Sequence, residues 1–355
     1  MLMSRRLSWL AIVALLLVRA VPARADNVDE FIKAQMQRFK VPGLSLAVIK
    51  DGAVVKVQGY GLANVEQGTP VTPETVFKIG SVSKQFIATG IMLLAQNGRL
   101  SIDDPIGRYL EGTPASWNVI TLRHLLTHTS GIVREAPGFD PFKIQSDADV
   151  IRTAYPLPLR FEPGAKWEYC NVGYFALAEV IHKVTGQPWT EYLRKAVFEP
   201  SGMTSTRPTD GSKGVAGRAI GYAGKDNGEV APDWPALRPS GAFLSTVLDL
   251  VKWDRQLATN TLLSETSRRL MWTPVRLANG SPHPYGFGWE LADIKGHRHV
   301  GHGGSLPGFR SGFSRYPDDR LTVIVLINAD DVDRGSIVQG IADLYLRVPE
   351  PVAGR

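Results

Sequence analysis

Ser81 and Lys84 stand three residues apart at the start of a long apolar run, Gln85-Phe86-Ile87-Ala88-Thr89-Gly90-Ile91-Met92-Leu93-Leu94-Ala95-Gln96. On a helix, side chains at i and i+3 share a face, so this hydroxyl and amine can touch without help from the rest of the fold. A helix N-terminus carries partial positive charge, which favours negative charge developing on Ser81 or on an acyl oxyanion beside it. Burial one turn into the helix lowers the pKa of Lys84 and makes a neutral, proton-accepting amine accessible. The pair has the chemistry of a nucleophile with its own activator. The same spacing also arises from a helix cap followed by a surface lysine, so the rest of the chain has to decide between the two.

Two further segments carry usable groups. Tyr169 and Asn171 lie two apart and project to the same side of an extended segment. A phenol near Lys84 would have its anionic form favoured by the ammonium, which suits it to shuttle protons. The Asn171 amide can hold a lysine amine or a substrate carbonyl. Further on, Gly301-His302-Gly303-Gly304-Ser305-Leu306-Pro307-Gly308 is dense enough in glycine for a substrate to lie directly against backbone. A strand edge there could donate an N–H to an oxyanion.

The elements that must position these groups come from both chain ends. Asn27 to Phe39 has a helical apolar period with Asn27 as cap. Residues 43–50 and 53–57 read as two strands around a tight Asp51-Gly52 turn. Strand character returns only late, over 285–290, 297–301, 308–316 and 321–328, and residues 332–346 close the chain as an amphipathic helix. Between about 100 and 240 short helical runs, turns and prolines dominate, with no clear strand and with Phe175 to Val184 as the clearest helix. The expectation is an α/β (α+β) fold: an antiparallel sheet built from both chain ends and flanked by helices, with an all-helical inserted subdomain. Its divisions would be 26–98 with 246–350 for the sheet part and 99–245 for the insertion. A pocket is expected where the insertion faces the sheet.

The first 25 residues read as a secretory leader. Arg5 and Arg6 form a positive region, Leu7 to Val18 an apolar stretch too short to span a bilayer comfortably, and Ala23-Arg24-Ala25 a small-x-small cleavage pattern. A general secretory signal fits better than a twin-arginine one, which places the mature protein in the periplasm or outside the cell. Four arginines leave with it, so the 40 basic residues fall to 36 against 34 acidic ones. The basic balance of the precursor is then no argument for nucleic acid binding, and no membrane span remains. Cys170 is the only cysteine, so no internal disulfide exists and the core alone must supply stability.

Taken together, Ser81-Val82-Ser83-Lys84, Tyr169-Cys170-Asn171 and His302-Gly303-Gly304 resemble the three motifs of the serine β-lactamase and penicillin-binding protein superfamily. The closest likeness is to its class C β-lactamase-related group of esterases, D-aminopeptidases and DD-peptidases. Leu125-Leu126-Thr127-His128-Thr129-Ser130-Gly131, residues 239–246 and Tyr285-Gly286-Phe287-Gly288-Trp289 extend the resemblance over nearly the whole mature chain. It implies Ser81 as acylated nucleophile, Lys84 as its proton acceptor, and Tyr169 as general acid/base for leaving group and water. Asn171 would position Lys84 and the substrate, with His302, Gly304 and Ser305 on the substrate side. The backbone N–H groups of Ser81 and Ser305 would form the oxyanion hole. It implies no cofactor, and a small ester, amide or peptide as substrate.

One departure bears on specificity. Penicillin-binding proteins and true class C β-lactamases usually carry Lys-Thr-Gly at the third motif, whereas this chain has His302-Gly303-Gly304. A lysine is a fixed cation for a substrate carboxylate, while histidine is mostly neutral at pH 7. The pocket is therefore expected to lack a permanent cation and to prefer esters, amides or D-aminoacyl substrates over β-lactams or D-alanyl-D-alanine peptides. Metal catalysis is disfavoured because His297-Arg298-His299-Val300-Gly301-His302 lacks the aspartate and downstream histidines of a dinuclear site. His124 and His128 likewise lack an adjacent glutamate, and no Gly-x-Ser-x-Gly elbow occurs. An inactive cell-wall binding protein on the same fold is the alternative of another class.

Overall fold

The computed structural model describes residues 23–209, 215–236 and 238–346. The expected leader thus falls almost wholly outside the described residues. Helix α1 spans Ala23–Phe39, running through Asn27 rather than starting there. Strand β1 (Gly43–Lys50) and strand β2 (Ala53–Asn64) form the expected hairpin, with Asp51 and Gly52 both at positive φ, 54° and 81°. That is the backbone a two-residue primed turn needs to follow the twist of its strands. Strand β3 (Thr69–Pro70) extends the sheet at one edge.

Beyond them lie helices α2 (Lys84–Gln96), α3 (Asn171–Thr185) and α4 (Val247–Leu257), then strands β4 (Glu290–Ile294), β5 (His297–Leu306), β6 (Phe309–Tyr316) and β7 (Leu321–Ile327), and finally helix α5 (Arg334–Asp343). The seven strands run in the order β4-β5-β6-β7-β1-β2-β3, with every pairing antiparallel. The two chain ends meet at the β1–β7 pair in the middle of the sheet, as the sequence leads one to expect.

Both faces of this sheet are covered, and the period of two assigns residues to each. Val323, Val325 and Ile327 of β7 join Val28 and Ile32 of α1 and Ile337 and Ile341 of α5 in one core. Ile324 and Leu326 face the other way, into the core built around α2. Central β1 and β7 therefore read as near-continuous apolar runs. Helix α2 is buried from Lys84 through Leu94. Its Phe86 ring packs on Phe198, Phe243 and Trp253 at centroid distances of 5.2, 5.9 and 5.1 Å. A buried aromatic of this kind is worth on the order of 3–5 kcal/mol against alanine. The rigidity it gives to α2 is passed on to Lys84, two residues earlier.

Two sequence expectations are corrected. The stretch 99–245 is not all helical. Arg207–Pro208 and Phe77–Lys78 pair with opposite edges of Phe243–Ser245 in a three-stranded sheet, and Tyr222–Ala223 pairs with Glu229–Val230. Strands two or three residues long leave no readable period, yet the first set clamps the chain just before Ser81. The segment 285–289 is not a strand either. Tyr285 bridges back to Glu290, and the Gly286 N–H donates to the Trp289 carbonyl at 2.8 Å. Gly288 sits at φ 76°, where an added Cβ would lie 2.9 Å from the Lys84 carbonyl oxygen. Both conditions require glycine and turn the chain back toward α2. Among the described residues no helix is long and apolar enough to cross a membrane.

Candidate active site

Ser81 lies on a 3-10 turn, Gly80–Ser83, that leads straight into α2. Three bonds hold this turn. The Ser83 hydroxyl donates to the Gly80 carbonyl at 2.6 Å and accepts from the Phe243 N–H at 3.2 Å, while Ser311 Oγ donates to the Ile79 carbonyl at 2.6 Å. Gly80, at φ 53°, would place a Cβ 2.5 Å from the Ser305 nitrogen, so the turn rests directly on the backbone of β5. Gly304 is needed for the same reason, since its Cβ would meet the Ile79 carbonyl oxygen at 2.1 Å. The close backbone approach expected of the glycine-rich motif is thus made by the protein itself at this position.

Lys84 is fully buried and makes three contacts. Its Nζ donates to Asn171 Oδ1 at 2.8 Å, donates to the Ser240 carbonyl, and reaches Ser81 Oγ at 3.3 Å. The orientation of the Asn171 amide is fixed by Glu135, whose Oε1 accepts from Nδ2 at 2.5 Å. Two of the three tetrahedral positions of Nζ are therefore held by oxygens that can only accept. The third points at the Ser81 hydroxyl, where a neutral amine would present its lone pair. Burial pulls the Lys84 pKa down to about 7; Glu135 opposes that fall and the Arg134 guanidinium adds to it.

Tyr169 departs from expectation in its electrostatics. Lys84 Nζ stands over the Tyr169 ring, 4.7 Å from its centroid. Burial raises the phenol well above its ordinary range, with Ser81 as the neighbour that draws it down. The phenol is thus neutral in the resting site, not the anion suggested by an adjacent ammonium. Its Oη is buried with the Ser81 hydroxyl beside it, and makes no hydrogen bond of full geometry within the described residues. A buried hydroxyl so placed beside a candidate nucleophile is free to serve a reacting group.

His302 is buried, with Nε2 2.9 Å from Tyr285 Oη and Nδ1 3.8 Å from Glu290. Burial lowers its pKa, opposed by Glu290 and assisted by Lys84. It offers no cation to a substrate, as expected. The expectation of a cleft without any fixed cation is corrected, however. Gly303 and Gly312 face each other across the β5–β6 pair, and the Arg334 side chain of α5 runs over this bare lane. An added Cβ on Gly303 would lie 1.6 Å from Arg334 Nη1. Arg334 lines the cleft with its head, donates to the Ser311 carbonyl at 3.1 Å, and makes no ion pair among the described residues.

The resulting cleft of about 480 Å³ is bordered by Ser81, Tyr169, Asn171, His302, Gly304 and Ser305, which the structure brings together from three distant segments. β4 stops pairing at Gly301, so the β5 backbone from His302 to Leu306 forms a sheet edge at the cleft, with Ser305 exposed on it. Trp167 and Trp234 supply aromatic walls, and Arg134, Glu135, Glu290 and Arg334 supply charge. Sequence reasoning missed these four charged residues and the two tryptophans. None of them sits in a chemical pattern, and each is placed only by tertiary folding. Among the described residues no group of three or more His, Cys, Asp or Glu is placed to hold a metal ion.

Known proteins resemble this chain in sequence and fold. The beta-lactamase family model matches residues 28–345. Penicillin-binding protein 4* of Bacillus subtilis (strain 168) is 32% identical over 318 residues, covering 83% of this chain and 70% of that protein. A D-aminopeptidase of Gluconobacter oxydans (strain 621H) is 28% identical over 85% of this chain, which spans 58% of that relative's length. The octameric penicillin-binding protein homologue from Pyrococcus abyssi superposes with a TM-score of 0.80 at 30% identity, over 90% of this chain and 77% of that one. The D-amino acid amidase from Ochrobactrum anthropi SV3 shares the fold, with a TM-score of 0.77 at 24% identity over 91% of this chain and 97% of that one.

Proposed function

The chain belongs to the beta-lactamase family, a family of serine hydrolases, and on that premise we propose that it hydrolyses an ester or amide through an acyl-enzyme on Ser81. The observation that carries this is the Lys84 amine, buried, anchored on two acceptors and directed at Ser81 Oγ. Neutral Lys84 takes the hydroxyl proton as Ser81 attacks the carbonyl carbon. The oxyanion forms against the backbone N–H groups of Ser81 and Ser305. Tyr169, a neutral phenol, gives its proton to the leaving group and recovers one from the water that attacks the acyl carbon, while Lys84 returns its proton to Ser81 Oγ as the acyl bond breaks. A parallel turnover screen of a short-chain p-nitrophenyl ester, a D-aminoacyl amide, a D-alanyl-D-alanine peptide and a chromogenic cephalosporin tests the assignment. No turnover of any, with Ser81 left unmodified by a fluorophosphonate, would refute it.

Tyr169→Phe keeps the ring over Lys84 and removes only the hydroxyl. It is expected to lower kcat by roughly 10²–10⁴ with the fold intact by circular dichroism. A variant within a factor of three of the wild type would make Tyr169 a packed aromatic and nothing more.

One observation favours a second reading, in which carboxylate-bearing substrates such as cephalosporins or D-alanyl-D-alanine peptides are accepted. Arg334 delivers a guanidinium to the cleft through the space left by Gly303. Arg334→Met and Gly303→Ala, the latter displacing the guanidinium, are then both expected to reduce the ratio of kcat/KM for an anionic ester to that for its neutral isostere. The reduction should be roughly 10- to 100-fold, the scale of a charge-assisted hydrogen bond. An unchanged ratio in both variants leaves the neutral ester or amide as the substrate class. Export belongs to the same proposal, with N-terminal sequencing of the mature protein expected to begin at Asp26.

A further inference from the structure

Four hydrogen bonds join five groups in line behind the cleft, and the two ends of the line fix its direction. The Cys170 backbone N–H can only donate, and it donates to His128 Nδ1 at 3.1 Å. The Gly303 carbonyl can only accept, and His302 Nδ1 lies 2.7 Å from it. Between them Tyr285 Oη is 3.2 Å from His128 Nε2 and 2.9 Å from His302 Nε2. With neutral imidazoles only one arrangement of protons satisfies every link. His128 carries its proton on Nε2 and donates to Tyr285. Tyr285 donates to His302 Nε2, and His302 carries its own proton on Nδ1 for the Gly303 carbonyl.

The ends of the chain are mechanically placed. Cys170 separates Tyr169 from Asn171, and Gly303 lies two residues before Ser305 on the sheet edge. Both imidazoles and the phenol are 9% exposed or less. We propose that Tyr285 is a positioning residue whose hydroxyl is the middle link of a proton-ordered chain, holding the Tyr169–Asn171 segment in register with β5. The proposal rests on the acyl-transfer reading of the cleft.

An extra proton would disrupt the order. A cationic His128 would set a donor against the Cys170 N–H, and a cationic His302 would give Tyr285 two donors and turn the Tyr285 proton away from His302 toward the Tyr174 oxygen. The groups facing the two rings bear on this. Lys84 and Arg134 oppose charge on His128; Lys84 and Arg334 oppose it on His302, and Glu290 favours it there. Burial lowers both imidazoles and outweighs Glu290. Tyr169 and Glu290 also face Tyr285, and Tyr174, hydrogen-bonded to it, donates its own proton to the Leu126 carbonyl at 3.1 Å. Removing the link leaves a buried N–H and a buried ring nitrogen unpaired, and either segment can then shift by a fraction of an ångström.

Nitrogen-15 NMR of histidine-labelled protein tests the chain directly. In the wild type between pH 6.5 and 8, His128 is expected as the neutral Nε2–H tautomer and His302 as the neutral Nδ1–H tautomer. The opposite tautomer, or a charged ring, at either residue would overturn the proposal whether or not any variant folds. Tyr285→Phe is expected to lose the single-tautomer signature and to lower kcat on a neutral ester by roughly 10- to 100-fold, with KM changed less than threefold. Fluorophosphonate labelling of Ser81 in that variant verifies that it is folded. A labelled variant with unaltered kcat would reduce Tyr285 to a packing residue. Failure of the wild type to acylate at Ser81 sinks the acyl-transfer assignment alone, since the tautomers are read without substrate.

Discussion

Ser81→Ala is expected to abolish covalent labelling by fluorophosphonate and β-lactam probes and to reduce kcat by roughly 10⁴-fold or more, because it deletes the atom that forms the acyl bond. The fold should survive. Ser81 is partly exposed, and its Oγ meets Lys84, which retains Asn171 and the Ser240 carbonyl, and the Tyr169 phenol, whose ring is held by packing. The melting temperature is therefore expected to stay within a few degrees of the wild type. Intact-mass measurement after probe treatment distinguishes the alternatives. Labelling that persists in Ser81→Ala places the nucleophile elsewhere. Labelling at Ser81 without turnover of any ester, amide or β-lactam would describe a binding protein on this fold rather than a hydrolase. Loss of wild-type activity in EDTA, restored by zinc, would reopen the metal alternative that the histidine spacing disfavours.

How far the sequence discloses this site depends on how local each interaction is. Ser81 and Lys84 are neighbours on one turn, so their contact follows from spacing once a helix is granted. The burial of α2 is equally legible, because the apolar run from Phe86 to Ala95, broken only by Thr89, has nowhere to go but the core. The hairpin at Asp51-Gly52 and the central pairing of the two chain ends follow from turn chemistry and apolar runs. The fixed cation is a different case. Arg334 opens an ordinary helix 31 residues after Gly303, and only the register pairing Gly303 with Gly312 clears its way to the cleft. The charge state of Tyr169 was also beyond spacing arguments. Proximity to Lys84 suggests a phenolate, but the ammonium meets the ring face rather than the oxygen, and desolvation then dominates. His128 and Tyr285 lay within segments that carried the family resemblance, yet their shared chain needs three elements to converge, which no single segment displays.

Lys84 is expected to set the acid limb of activity. Its neutral form is the base, and that form grows as pH rises through about 7. The profile of kcat/KM on a neutral ester should therefore climb with unit slope from pH 5 and level off near pH 8. Neighbouring charges give the sign of further shifts. Arg134 lowers the Lys84 pKa, so Arg134→Gln should move the midpoint to higher pH. Glu135 raises it, so Glu135→Gln should move the midpoint lower, while a glutamine oxygen can still accept from Asn171. Shifts of opposite sign in these two variants are hard to produce by general damage to the site, which would lower the plateau without moving the limb. Lys84→Ala removes the base and should reduce kcat by roughly 10³-fold or more at every pH, at least matching Tyr169→Phe. Both Lys84→Ala and Lys84→Met leave Asn171 Oδ1 and the Ser240 carbonyl without their buried donor, but Lys84→Met is closer in volume and leaves no cavity, so it is the better test of chemistry separated from packing. If Lys84→Met retains the wild-type limb near pH 7, another group is the base, and the proton of Ser81 must leave by a different route.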